Sequence, residues 1–313
     1  RHNMVKLGGS RERADELLRM LRKAGVLTGK SRNCSAELRL PIPSRELLAP
    51  EAESRALVEG DGWPKLAQRM GQRVSIYGLG RTGSHIAMGL AVAGVGHLHL
   101  GDSRPVTPRD RGQVFGPADV GRPRDEALAD VFRQAGLECR VTARGRVMRP
   151  DATVLVDYEV SDPNRSRFLA ERGIAHLSVL VGELSITCGP WVPRSGGPCL
   201  KCQRLWAVDS DPCWPGMATQ RFVRSAVAQR GEDPCLAAAV GSLAVTQVLQ
   251  ALSGSQPTTV GRFLRMSLPD YETAWGEVES HPRCTEHDPR ARLAAGPTPP
   301  QPPTPPVPLP PPV

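Results

Sequence analysis

Three groups of residues in this chain have the types and spacing of chemistry. The first is Gly78-Leu-Gly80-Arg-Thr-Gly83, which follows the apolar run 74–77 and leads into an Ala-rich stretch. Such a turn presents backbone amides and a helix N-terminus to an anion. Gly78 allows the sharp turn, Gly80 lets a phosphate approach the backbone, and Gly83 lets helix and strand lie close. Asp102 ends the next apolar run, 19 positions after Gly83, where a carboxylate reaches a ribose hydroxyl. Taken alone, the turn also fits a scaffold whose glycines serve packing only. The second group is Cys199-x-x-Cys202 with Cys284-x-x-His287. These two ligand pairs predict a structural, tetrahedral zinc site. Two alternatives stand beside it: Cys284 as a lone buried thiol with His287 solvated, or His281 as the fourth ligand. The third group is Cys213 and Cys235. Cys235 opens an apolar stretch, where by itself it reads as a small buried hydrophobe at a helix start.

These residues need elements to position them. Strands are expected near 74–77, 96–101, 138–142, 152–157 and 175–180, with helices near 82–94, 122–135 and 162–173. Strand and helix alternating in this way predict an α/β fold: a Rossmann-like, mostly parallel, doubly wound sheet with helices on both faces. Ligands then bind beyond the carboxyl ends of the strands. The connection from Ser103 to Gly121 is long, and it holds the polar cluster Arg109, Asp110, Arg111 and Gln113. A long loop over such a site is usually functional.

The flanks read differently. Residues 10–27 predict an amphipathic helix capped by Ser10, with Ala14, Leu17, Leu18, Leu21 and Ala24 on one face and Gly25 ending it. Residues 28–45 read as loop or edge strand, and 46–70 as mixed. After 181, Leu184–Cys188 reads as an antiparallel strand and 207–233 as loop or crossover. Residues 235–252 then read as a buried helix, and Val260–Leu268 as a last strand. The proline-rich end cannot pack and reads as polyproline II or a solvated tail, with a proline-rich ligand role as the lesser alternative. The organisation expected is a helical extension over 1–55, a nucleotide-binding domain with the Cys/His site over 56–290, and a tail over 291–313.

Composition narrows the classes. The 313 residues carry a formal charge of +8, with 40% hydrophobic and 4% aromatic residues, so the core must be built mainly from Leu, Val and Ala. No basic helix or aromatic-interleaved patch points to nucleic acid. The charged start has no apolar core of a signal peptide, and no membrane span is expected. A cytoplasmic setting follows as an expectation, and with it metal ligation or reactivity for the eight cysteines. The chain opens on Arg1, which reads as a truncated sequence or an unusual start codon.

The glycine turn, the run from Ala93 to Asp102, Val120-Gly-Arg-Pro-Arg124, the Pro-Cys-x-x-Cys knuckle, the apolar stretch 235–252 and the late ligand pair together resemble the ThiF/MoeB and ubiquitin-activating-enzyme superfamily. The helix at the N-terminus and Val208-Asp-Ser-Asp-Pro-Cys-Trp-Pro215 resemble its actinobacterial branch linked to ribosomal-peptide (azoline-type) maturation. The resemblance implies ATP with Mg²⁺ and adenylation of the carboxylate of a peptide or small protein. It also implies a homodimer and a possible partner maturation enzyme. Asp102 matches the ribose acid. Asp110 stands where Asn is expected, Arg111 or Gln113 near the expected Arg, and Arg124 in place of Lys. Asp157 or Asp162 stands for the metal-binding Asp. Arg111, Arg124 and Cys235 are then the candidate catalytic residues, and Gly78, Gly80, Gly83, Asp102, Gln113 and Asp157 the candidate cofactor contacts. The departures favour another reading as well, an inactive scaffold that binds a peptide or partner. The glycine turn also fits an NAD(P) oxidoreductase, but the knuckle and the long loop do not.

Overall fold

The structure, a computed structural model, describes residues 10–23, 36–143, 149–227 and 231–286. Among them the helices are α1 (Arg11–Lys23), α2 (Ile42–Glu59), α3 (Trp63–Met70), α4 (Arg81–Val92), α5 (Arg124–Gln134), α6 (Pro163–Glu171), α7 (Leu200–Ser210), α8 (Trp214–Val227) and α9 (Pro234–Leu252). The strands are β1 (Arg73–Tyr77), β2 (His97–Gly101), β3 (Arg140–Thr142), β4 (Ala152–Tyr158), β5 (His176–Val181), β6 (Ser185–Val192), β7 (Arg262–Ser267) and β8 (Glu272–Glu277).

All eight strands form one sheet in the order β3-β2-β1-β4-β5-β6-β7-β8. The first five in that order are parallel, and β6, β7 and β8 are added antiparallel. The alternation of β4 shows why both faces are covered. Val154 and Val156 join the main core with Val74, Ile76, Ile86, Leu128 and Val240, whereas Leu155 packs on the opposite face with Leu169 and Leu200. Strand order reverses at β1, whose neighbours are β2 and β4. The carboxyl ends of these three strands therefore border the crevice where such sheets bind ligands.

Several expectations need correction. Residues 42–45 are helical, because α2 starts directly after Pro41 with a proline at its first turn. Segment 207–233 is mostly helix, completing α7 and forming α8. Phe222 and Val223 of α8 are largely exposed, so the helix lies at the surface and not in the core. Strand β8 was absent from the sequence expectation. It is an exposed edge strand with little apolar alternation. Helix α9 is long and apolar enough to cross a membrane by length and composition, but it packs on α4 and β6 as a core helix. Gly25, the end of the first helix and the proline-rich tail lie outside the described residues.

The segment before the sheet is pinned by charge as well as packing. Leu40, Leu48, Ala52 and Leu66 form a small core between α2 and α3. Arg69, fully buried, donates two parallel bonds to Glu51 at 3.0 and 2.9 Å and a third to the Ala93 carbonyl at 2.6 Å. One guanidinium thus ties α2, α3 and the end of α4 together.

Candidate functional site

The glycine turn forms as its spacing demands. Gly78 has φ +89°, and a Cβ on Gly83 would lie 1.8 Å from the Gly78 carbonyl oxygen. The start of α4 therefore folds back directly onto the turn, with its amides facing the crevice.

Those amides already hold anions, and the anions are the protein's own. The Leu79 amide donates to Asp102 Oδ2 at 2.9 Å. The Thr82 amide and hydroxyl donate to Glu232 Oε2 at 2.7 and 2.5 Å, and the Tyr158 hydroxyl donates to Glu232 Oε1. Glu232 lies between α8 and α9 and is only 6% exposed. Gly80 makes room for it: a Cβ there would sit 2.2 Å from both Glu232 Oε1 and the Tyr158 hydroxyl.

A four-member charge cluster lies alongside. Asp102 also accepts from the Arg104 amide (3.2 Å), from Arg104 Nε and Nη2 (2.8 and 2.9 Å) and from Arg124 Nη1 (3.0 Å). Asp110 accepts from Arg124 Nη2 at 2.8 and 2.7 Å, and from the Thr107 amide and hydroxyl at 2.7 and 2.8 Å. Burial pushes Asp102 up, but the Arg104 hydrogen bond and charge, the Arg124 charge and the Leu79 amide outweigh it, holding the carboxyl at about 2. Burial pulls Arg124 down, and its pairing with Asp102 and Asp110 more than compensates, so its affinity for the proton rises.

Beyond this cluster opens a cleft of about 360 Å³, bordered by Gly78, Asp102, Arg104, Asp157, Tyr158 and Arg165 among others. Burial raises Asp157 to about 6 against the opposing Arg165 charge and the Asp162 amide. Asp162 itself caps α6, accepting from the amides of Asn164 and Arg165 at 2.9 and 3.3 Å. Burial, together with Glu232, pushes the Tyr158 hydroxyl well above its ordinary value.

The expected site residues thus divide. Gly78, Gly80, Gly83, Asp102, Asp157 and Arg124 converge on the crevice. Arg111 is exposed and does not line the cleft. Gln113 lines a separate cavity of about 180 Å³ with Arg81, Ser84 and Val114. Cys235 is exposed, not buried, and its amide bonds to the Asp233 cap at 2.9 Å; Cys213 is also exposed. Glu232, Tyr158 and Arg104 belong to the site and were not expected there. The only sequence signal for Glu232 was its place just before the apolar helix.

The second centre is the thiol cluster. Cys199, Cys202 and Cys284 are buried with their sulfurs within 4.8 Å of one another. The Cys199 sulfur lies 3.7 Å from that of Cys202 and 3.6 Å from that of Cys284. Three thiolates at about 2.3 Å from a tetrahedral zinc stand about 3.8 Å apart, so this spacing fits the metal. The hydrogen bond from Cys199 pulls Cys202 down to about 4 against the effect of burial, and the same bond pushes Cys199 up. His281 is not the fourth ligand: its Nε2 lies 2.9 Å from Asp209 Oδ2, and its Nδ1 accepts from the Arg283 amide at 3.1 Å. His287, the expected fourth ligand, lies outside the described residues.

Residues 55–164 match the model of the ThiF family. The matched stretch contains the glycine turn, Asp102, Arg124 and Asp157, whereas Glu232 and the three cysteines fall outside it. The fold is similar to that of PaaA, at 17% identity over 88% of this chain and 95% of that one, with a TM-score of 0.68. It is also similar to E. coli MccB solved with MccA-N7isoASN (15% identity, 88% and 82% covered, TM-score 0.63) and with ATP (16%, 90% and 82%, 0.60). No curated protein sequence matches the chain.

ATP does not fit the crevice in the arrangement described. A carboxylate offers about four lone-pair positions, and Asp102 already accepts five hydrogen bonds from the chain, which leaves none for a ribose hydroxyl. The Thr82 amide and hydroxyl and the Tyr158 hydroxyl, donors suited to a phosphate, are bonded to Glu232. Zinc does fit its three thiols, and it would tie the segment at Cys284 to the start of α7.

Proposed function

We propose that the protein is a degenerate ThiF relative that binds a peptide or small-protein partner in peptide maturation without adenylating it. One observation carries the reading. Arg124, which by the resemblance stands in place of a Lys, is held between Asp102 and Asp110, with Arg104 on the outer side of Asp102. Two arginines and two aspartates neutralise one another. Adenylation needs uncompensated positive charge on the transferring phosphate. The E. coli MccB structures with MccA and with ATP support a peptide partner for a chain of this fold, and they keep adenylation as the second reading. What favours that second reading is the open cleft floored by Asp157.

Helix α1, with its exposed Leu17 and Met20, is the candidate contact for the partner. A structural zinc at Cys199, Cys202 and Cys284, a homodimer and a cytoplasmic setting belong to the same reading. An NAD(P)-dependent activity would need the same turn and the same acid, and it meets the same obstacle.

The test is ATP–pyrophosphate exchange with a leader-like peptide, run beside calorimetric titration of that peptide with and without ATP and Mg²⁺. The proposal expects peptide binding that is indifferent to nucleotide, and no exchange. Exchange above background would replace it with the adenylation reading.

A further inference from the structure

We infer that the anion seat at the glycine turn is complete but self-occupied: Glu232 stands where the phosphate of a pyrophosphate or nucleoside triphosphate would, and such a ligand binds only by displacing it. The inference does not rest on the partner-binding reading. A silent scaffold and an adenylating enzyme would both have to contend with the same carboxylate.

The donors are those of a working phosphate site. The Thr82 amide belongs to the first turn of α4, a 12-residue helix whose positive end faces the seat. The Thr82 hydroxyl and the Tyr158 hydroxyl complete a set of three, all directed at one buried carboxylate. Nothing in the local chain requires that carboxylate. Glu232 is 150 residues from Thr82 in sequence, and it is the neighbouring Asp233, not Glu232, that caps α9 by accepting from the Cys235 and Leu236 amides at 2.9 Å each. The helix therefore keeps its cap when Glu232 leaves.

The space also matches. Gly80 is the residue whose Cβ would collide with Glu232 and Tyr158, so the room it creates is spent on the carboxylate. Tyr158 forms part of the wall of the 360 Å³ cleft as well as binding Glu232. A phosphate in the seat would thus adjoin the space available for the rest of a nucleotide. A phosphate group brings more oxygens and more charge to these donors than a carboxylate does. Its apparent affinity is nevertheless reduced by the fraction of molecules in which Glu232 is away.

The test is calorimetric titration of the full chain with inorganic pyrophosphate and with ATP·Mg²⁺, in wild type, Glu232→Ala and Glu232→Gln. Glu232→Ala should bind pyrophosphate at least about tenfold more tightly than wild type. Glu232→Gln, which keeps the shape and loses the charge, should gain less. Adding Thr82→Val to Glu232→Ala should shrink the gain, which places it at the seat. Equal affinity in wild type and a folded Glu232→Ala overturns the inference. If thermal melting shows that Glu232→Ala does not fold, Glu232→Gln decides in its place, and no gain there overturns the inference equally. Pyrophosphate exchange is scored separately. A variant that gains binding and no exchange leaves both proposals standing, and one that gains exchange keeps the self-occupied seat and overturns the non-adenylating reading.

Discussion

The glycine turn and the thiol cluster both gather ligand-type groups, and they differ in what those groups are bonded to. At the turn, each of the three carboxylates Asp102, Asp110 and Glu232 finds its donors within the chain. At the cysteines, the three buried sulfurs have mainly one another, at spacings that suit a metal between them. A polar cluster that saturates itself is held by the fold. A cluster of soft ligands at metal-binding spacing points to something the fold would acquire.

Metal removal should break this contrast most strongly. Cys284→Ser, or a strong chelator, should strip about one zinc per chain and destabilise the protein by several kcal/mol, since structural zinc is worth on the order of 10 kcal/mol in small domains. Metal analysis beside thermal melting checks it, and a metal-free wild type of unchanged stability would refute it.

The self-satisfied side should fail next. Arg124→Ala leaves Asp102 and Asp110 buried without their shared cation, and should cost about 3–5 kcal/mol in urea unfolding.

The pH dependence sharpens the picture further, because two buried carboxyls respond in opposite directions. Asp102 is held at about 2, below its ordinary 3.8, so its contribution is present above about pH 4 and is lost as pH falls toward 2. Asp157 is raised from 3.8 to about 6, so the folded state binds the proton more tightly and stability falls as pH rises from about 4 to 6. Asp157→Asn should remove that decline and stabilise the protein at pH 7 by about 1–3 kcal/mol. Urea melts at pH 4, 5, 6 and 7 would show a flattened profile, and an unchanged slope would count against it.

Least affected should be Arg111→Ala. This exposed side chain lies outside the cluster, and its loss should stay within about 0.5 kcal/mol. A loss comparable to that of Arg124→Ala would mean that Arg111 shares the site after all.

Much of the fold was legible because its cause is local and repeated. Val74, Ile76, Leu98, Leu100, Val154 and Val156 alternate toward one core, and the glycines mark where the first strand turns into its helix. The clustering of Cys199 and Cys202 with Cys284 was legible because their types and spacing are those a metal site would demand. Helix α8 and strand β8 were not legible. Both lie at the surface, where burial imposes no period on the residues. Arg111 in the loop and Arg124 at the start of α5 look alike in sequence, yet Arg124 turns inward, onto acids 22 and 14 positions away.

Residue order alone determined the Rossmann-like core, the turn at residues 78–83 and the thiol ligands, because hydrophobic period, backbone freedom and ligand chemistry act over a few neighbouring positions. Only the folded chain decided what fills the turn. Glu232 reaches Thr82 across 150 positions, and no local pattern records a pairing that exists only once α9 has packed beside α4.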